Sequence, residues 1–154
     1  MPTPNIERFD QACGLIFAHL FECFPQRITI RSEAISAVFE ASEESQEDWL
    51  SRYASRESFF AATMTWLIDA GYVWCSDGQS NSIQTIFTQC VLTPKALEAL
   101  KATPASLSTG SLGQSLKDAA RSGALDAAKD LANEVIRKGW SIATTAAIST
   151  LNSA

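Results

Sequence analysis

The stretch from Phe59 to Leu100 constrains the fold more than any other part of the chain. Apolar side chains recur at helical spacing over its first part, and the pattern stops at Gly71, a residue that readily takes the left-handed conformation that ends helices. Two runs rich in β-branched and aromatic residues follow, Tyr72–Cys75 and Ile83–Val91, and the polar run Ser76–Ser82 separates them. This order predicts a helix followed by a β-hairpin.

A second helix is predicted directly after the hairpin. Thr93 is a residue type that caps helix N-termini, and Pro94 suits the first helical position because its missing N–H would have no partner there. The short apolar pattern that follows ends at Lys101. We therefore predict a helix from Pro94 to Lys101.

The residues before Phe59 predict three further elements. A strongly apolar helix begins after the capping residues Thr3–Asn5 and ends at Pro25. The alternating run Ile28–Ile30 predicts a short strand, and Ser32 caps a short helix that carries apolar residues as far as Phe39. The sequence from 41 to 55 then contains several carboxylates, and its second half is predicted to pack as a helix or turn.

This order of elements, with "DAGYV" before the hairpin and "LTPKALEAL" after it, resembles the bacterial winged helix-turn-helix domain of the MarR or PadR type. The resemblance covers roughly residues 6 to 101. It implies that the helix before Gly71 is a recognition helix and that the hairpin is the wing. The fold class that we predict is α+β, mainly α: a winged-helix-like domain with a small antiparallel sheet, followed by a C-terminal helical extension.

The composition changes after Lys101, and we predict three regions: a winged-helix-like domain over 1–101, a linker over 102–113 and an Ala-rich amphipathic helical tail over 114–154. Ser122-Gly123 and Gly139 are predicted breaks in the tail. No charged residue follows Lys138, and small residues recur every fourth position at Gly139, Ala143 and Ala147, a spacing that permits close approach of another helix.

The charge distribution disfavours nucleic-acid binding. The net charge is −5, and residues 1–100 carry 6 basic and 13 acidic side chains, whereas residues 101–154 carry 6 basic and 4 acidic ones. No Lys or Arg lies between Glu57 and Ala70 in the predicted recognition helix, and the predicted wing has none. Proteins that bind DNA displace counterions with basic side chains, which this surface lacks.

The sequence offers no catalytic residues, and we predict no enzyme activity, no cofactor and no metal site. It has neither of the glycine-rich nucleotide-binding motifs nor a G-x-S-x-G nucleophile motif, and its single histidine, His19, has no motif around it. No signal peptide and no membrane-spanning apolar run is evident, which predicts a cytoplasmic protein.

The four cysteines, Cys13, Cys23, Cys75 and Cys90, have no C-x-x-C spacing and are expected to be reduced thiols. Cys75 and Cys90 flank the same hairpin. A turn centred near Gln79 would place Cys75 opposite Ile83 and not opposite Cys90.

Three hypotheses of function remain. The first is a non-enzymatic interaction module that binds a protein partner or forms a homo-oligomer through its C-terminal helix. Its candidate contact residues are Phe59, Phe60, Trp66, Leu125, Leu131, Val135, Trp140, Ala143 and Ala147. The second is a dimeric DNA-binding transcriptional regulator, with candidate nucleic-acid contacts at Arg27, Arg31, Arg52, Arg56, Gln79 and Asn81. The third is a peripheral membrane protein that uses its uncharged C-terminus.

Overall fold

A computed structural model describes residues 4–40, 48–80, 84–101 and 110–153. The helices are α1 (Asn5–Cys23), α2 (Ser36–Glu40), α3 (Trp49–Asp69), α4 (Pro94–Lys101), α5 (Leu112–Ser122) and α6 (Leu125–Asn152), with a 3₁₀ turn at Ser32–Ile35. The strands are β1 (Ile28–Arg31), β2 (Val73–Trp74), β3 (Asp77–Ser80) and β4 (Thr85–Leu92). The described chain is mainly helical with a small antiparallel sheet, which confirms the coarse fold class.

Strand β4 is the centre of the sheet. It pairs with β1 along one edge and with β2 and then β3 along the other, and every pairing is antiparallel. The predicted strand at Ile28–Ile30 is confirmed as β1. Thr93 Oγ1 accepts a hydrogen bond from the backbone N–H of Ala96 at 3.2 Å, so the predicted N-cap of α4 is confirmed as well.

The predicted register of the hairpin is wrong. Asp77 pairs with Thr88 and Ser80 with Thr85, so Gln79 lies within β3, which continues to Ser80, and is not the centre of a turn. Asp77–Ser80 form β3 although their residue types favour turns, because the long strand β4 provides hydrogen-bond partners for their backbone. The pair Val73–Leu92 has the same register as the pairs between β3 and β4. This register places Cys75 opposite Cys90.

Helix α3 includes the second part of the run 41–55, which the sequence predicts to pack as a helix or turn. It begins at Trp49, ahead of the apolar stretch, while the acidic residues at 43, 44 and 47 lie outside the described residues. Its end matches the prediction: Gly71 has a φ of +78°, the backbone N–H of Gly71 donates to Ile68, and that of Tyr72 donates to Leu67. These two bonds satisfy carbonyls that a helix end otherwise leaves without partners.

Helices α5 and α6 share one core with the elements before them. Leu112, Leu116 and Ala132 are fully buried in the same cluster as Phe17 of α1. Leu112, in the last part of the predicted linker, begins α5, while 102–109 lie outside the described residues. The sequence-based boundaries of the three regions therefore stay a prediction.

The two predicted breaks in the tail have different outcomes. Gly123 ends α5 with a φ of +71°, as predicted. Gly139 does not interrupt α6, which runs through it without a break. The prediction at Gly139 is wrong because this glycine serves close packing rather than a turn, as its contacts with Tyr72 show below.

A buried carboxylate joins three elements beneath the hairpin. Glu57 of α3 accepts a hydrogen bond from the backbone N–H of Thr85 at 2.6 Å and another from the hydroxyl of Ser32, which opens the 3₁₀ turn. Arg56 Nε donates to the same Ser32 oxygen at 3.2 Å. Charge-assisted hydrogen bonds of this kind are stronger than neutral ones, so Glu57 fixes α3 to the first residue of β4.

We expect Glu57→Ala to lower the free energy of unfolding by about 2–4 kcal/mol, because it leaves a buried N–H and a buried hydroxyl without their acceptor. Urea denaturation followed by circular dichroism measures the change. Glu98→Ala, which removes an exposed carboxylate from α4, is the matched control and should change stability by less than about 0.5 kcal/mol. Equal losses in the two variants would contradict this role of Glu57.

Candidate interaction surface

Helix α6 is packed against the protein over its first half and exposed over its second. Ala128, Ala132, Val135 and Gly139 are its buried residues. Beyond them, Ile142 and Ala143 are half-buried, and every described residue from 144 onward is exposed. About three and a half turns of helix therefore extend past Gly139, the last buried residue.

The ring of Tyr72 fixes the point at which α6 leaves the core. Tyr72 is fully buried, and its hydroxyl donates to the carbonyl oxygen of Ile136 at 2.6 Å. Gly139, almost one turn later in α6, lies directly against the ring: a Cβ placed at Gly139 would come within 2.5 Å of Tyr72 Cε1. Glycine is needed here because no larger residue fits between the helix backbone and this ring.

Aromatic and cationic side chains surround Tyr72. Trp66 of α3 stacks on its ring with an interplanar angle of 10°, and the Phe17 ring packs edge-on at 5.8 Å. Lys95 Nζ lies 4.1 Å from the centroid of the Tyr72 ring and 5.3 Å from that of Trp140. Lys95 also donates to the carbonyl oxygen of Ala70, a residue at the end of α3. This group of side chains around Tyr72, which we call the Tyr72 junction, joins α3, α4 and α6.

The electrostatics of this junction follow from its burial. Desolvation raises the pKa of Tyr72 to about 12, so the hydroxyl keeps its proton and remains a donor to Ile136. Partial desolvation also lowers the pKa of Lys95, whose ammonium group lies against two aromatic rings and the carbonyl of Ala70 at the end of α3. The cation still suits this place, since aromatic faces and terminal carbonyls both attract positive charge.

The exposed part of α6 carries an apolar stripe, which we call the distal α6 face. It consists of Trp140, Ala143, Ala147, Ile148 and Leu151. These residues recur at three- and four-residue intervals and so share one side of the helix. Trp140 and Ile148 are each 53% exposed and Leu151 is 76% exposed.

The hydroxyl side chains of the same segment bond to the helix itself. Thr144 Oγ1 donates to the carbonyl of Trp140 at 2.9 Å, and Thr145 Oγ1 donates to that of Ser141 at the same distance. Thr150 and Ser153 donate in the same way to carbonyls three or four residues earlier. The segment thus has hydroxyl groups but no charged side chain.

The predicted protein-contact residues separate into two groups. Phe60 and Val135 are fully buried in the core, so their side chains are not available to a partner. Phe59, Leu125 and Leu131 are half-buried and pack against the core, and Phe59 contacts the Phe39 ring at 5.7 Å. Helical periodicity predicts that these five residues lie on apolar faces, but it does not show whether such a face packs against the core or remains free for a partner.

The remaining predicted contacts lie on or near the exposed surface. Trp66 is 38% exposed beside the junction, while Trp140, Ala143 and Ala147 belong to the distal α6 face. The site prediction missed Ile148 and Leu151. The spacing of both residues from Trp140 and Ala147 could have identified them.

The predicted arginine contacts lie at β1 and on α3, and two of them hold hydrogen bonds within the protein. Arg27 donates to the backbone carbonyl of Gln89 at the base of the hairpin, and Arg31 lines a groove between α1 and α5. Arg56 lies over the Tyr53 ring and bonds to Ser32, whereas Arg52 is exposed on α3. The backbone of Gln79 is in β3, and Asn81 lies outside the described residues.

Comparisons with known proteins give no relative: no protein-family model, no curated protein and no solved structure matches the chain. Among the helices of the described residues, none combines the length and the apolar character needed to cross a bilayer.

We expect Gly139→Ala to destabilise the protein by about 1–3 kcal/mol, because the added methyl group meets the Tyr72 ring and forces the ring or α6 to move. The gain in helix propensity from glycine to alanine, about 1 kcal/mol, opposes this loss only in part. Thermal denaturation measures the difference. Ser141→Ala, at an exposed position two residues later, is the control, and a Gly139→Ala variant as stable as the control would contradict the close packing.

Proposed function

We propose that this protein is a non-enzymatic, winged-helix-like interaction module that self-associates through the distal α6 face. The observation that carries the proposal is the exposed apolar stripe on a helix whose position is fixed by the Tyr72 junction. Exposed apolar surface of this kind on a soluble protein commonly marks a contact site. The order of elements and the central position of β4 support the winged-helix part of the proposal.

The distal α6 face has the charge and shape that favour contact with a second copy of the same chain. Two identical helices repel each other when both carry the same charges, but α6 has no charged residue after Lys138. Ala143 and Ala147 lie four residues apart beside the bulky residues of the stripe, so two helix backbones can approach closely there. Trp140 and Leu151 then supply large apolar side chains at the two ends of the contact.

DNA binding is a weaker reading of the same fold. Two of its four predicted arginines, Arg27 and Arg56, already hold hydrogen bonds within the protein. A cytoplasmic location belongs to our proposal and is supported by the four free cysteines. Membrane attachment through α6 would use the same apolar face, and the experiment below separates the two uses.

We expect Ile148→Lys to weaken self-association at least about tenfold, because it places a charge within a desolvated contact. Light scattering across a concentration series measures the mass of the full chain and of the variant. Ser149→Lys is a matched control: it adds the same charge to the next residue, which lies on the opposite side of the helix. Far-ultraviolet circular dichroism should be unchanged in both variants.

A wild-type mass equal to that of one chain at all concentrations would disprove self-association. Vesicle flotation then tests the membrane alternative, which predicts binding that Ile148→Lys abolishes. Equal loss of association in the two lysine variants would place the contact elsewhere on the molecule. Salt-dependent binding of duplex DNA that Arg52→Ala weakens would favour the nucleic-acid alternative.

A further inference from the structure

Two of the four cysteines align across the sheet: Cys75 lies between β2 and β3, and Cys90 lies in β4, which pairs with both. Val73 pairs with Leu92 and Trp74 with Val91 before this position, and Asp77 pairs with Thr88 after it, all at one constant offset. The same offset aligns Cys75 with Cys90. Residues that align across antiparallel strands project to the same face of the sheet, so both thiols lie on the face that carries Val73 and Leu92.

The hydrogen-bond pattern of the strands gives this pair a separation suitable for a disulfide. The backbone N–H of Thr93 donates to Tyr72 at 3.1 Å, which makes Tyr72 and Thr93 a hydrogen-bonded pair. Hydrogen-bonded and non-hydrogen-bonded pairs alternate along an antiparallel ladder, so the cysteines occupy a non-hydrogen-bonded position. Cα atoms in such pairs are about 4.5 Å apart, within the range of about 4.4–6.8 Å that disulfides span.

The two thiols already interact in the reduced protein. A hydrogen bond to Cys90 raises the pKa of Cys75, and the same bond lowers the pKa of Cys90. The Arg27 guanidinium favours negative charge at Cys75. The pair therefore loses its first proton from Cys90, and transfer of the remaining proton from Cys75 to Cys90 along the hydrogen bond then gives the reactive form with its charge on Cys75, the sulfur that a reagent can reach.

The thiols differ in their access to solvent. Cys90 is fully buried in the central strand, whereas Cys75 is half-buried just after β2. The regular ladder is interrupted beside the pair, since Gln89 has a φ of +54° and the backbone N–H of Ser76 donates to Thr88. A small reagent can therefore reach Cys75 first, and Cys90 is placed to react only with Cys75.

We propose that Cys75 and Cys90 form a site of thiol–disulfide exchange that takes a low-molecular-weight disulfide and closes a reversible cross-strand disulfide. The Cys75 thiolate attacks one sulfur of the reagent, so a mixed disulfide forms and the first small thiolate leaves and takes up a proton. Cys90 then gives up its proton, and its thiolate attacks the Cys75 sulfur and displaces the second small thiolate, which takes up a proton. The protein loses two protons and two electrons, and the reagent is reduced to two thiols.

Closing the disulfide joins the residue that follows β2 covalently to β4 at the base of the hairpin. Such a bond restricts the unfolded chain and raises the thermal midpoint of unfolding. The exchange uses no residue of the distal α6 face. The exchange site can therefore be tested whether or not the protein self-associates.

The test exposes the folded full chain to a series of oxidised-to-reduced glutathione ratios, followed by alkylation and mass spectrometry. We expect a product lighter by two hydrogen atoms that retains no glutathione. No Lys or Arg lies between Cys75 and Cys90, so tryptic cleavage leaves both in one peptide. Chymotryptic cleavage after Phe87 separates them unless the disulfide is present.

Substitutions assign the two steps. In Cys90→Ser the second step is lost, so glutathione should accumulate on Cys75 to a level at least about tenfold above wild type, because an intramolecular thiol otherwise displaces it rapidly. Cys75→Ser should give neither product. Cys23→Ser, which alters a half-buried thiol of α1, is the matched control and should react as wild type does.

Three results would overturn the proposal. They are persistent glutathione on Cys75 in the wild-type protein, a disulfide that includes Cys23, and no reaction of Cys75 under native conditions. Cys90→Ala replaces Cys90→Ser if the serine variant does not fold, since alanine leaves no polar group in the core. The wild-type peptide map decides the question without either variant.

Discussion

The buried ring of Tyr72 is the contact on which the arrangement of the helices depends. Its hydroxyl bonds to α6, its ring stacks on Trp66 of α3, and Lys95 of α4 lies over it. A buried tyrosine needs a partner for its hydroxyl, and the carbonyl of Ile136 supplies one. The close approach at Gly139 then sets the direction in which α6 leaves the core, so the proposed contact surface depends on a ring that is itself inaccessible.

Much of the fold follows from local sequence signals. The helix ends at Gly71, Gly123 and Thr93 are predictable because few residue types suit these positions. Glycine takes the left-handed conformation that ends a helix, and threonine accepts a hydrogen bond from the first turn. The register of the hairpin could not be found in this way. Residues 77–80 have the composition of a turn, and only their pairing with β4 makes them a strand, which shifts every cross-strand neighbour.

The candidate site was only partly predictable for a related reason. Periodicity identifies an apolar stripe, but it does not distinguish a stripe that covers the core from one that faces solvent. Val135 and Trp140 lie on one helix and were proposed together, yet one is buried and the other exposed. The sequence predicts a break at Gly139, because the ring that fills the space beside this glycine belongs to Tyr72, which is distant in the sequence. The hydrogen bonds of Glu57 could not be predicted either, because its partners, Ser32 and Thr85, are distant from it in the sequence.

The back-bonded hydroxyls of α6 change what another molecule would meet at this helix. A serine or threonine is counted as polar in a hydropathy scale because its hydroxyl normally loses bonds to water when it is buried. In Thr144, Thr145 and Thr150 the hydroxyl proton is already held by a carbonyl of the same helix, so the methyl group is the part left for contact. The free-energy cost of removing water from this part of α6 is therefore lower than its composition suggests. Mean hydropathy underestimates how readily the segment packs against another apolar surface.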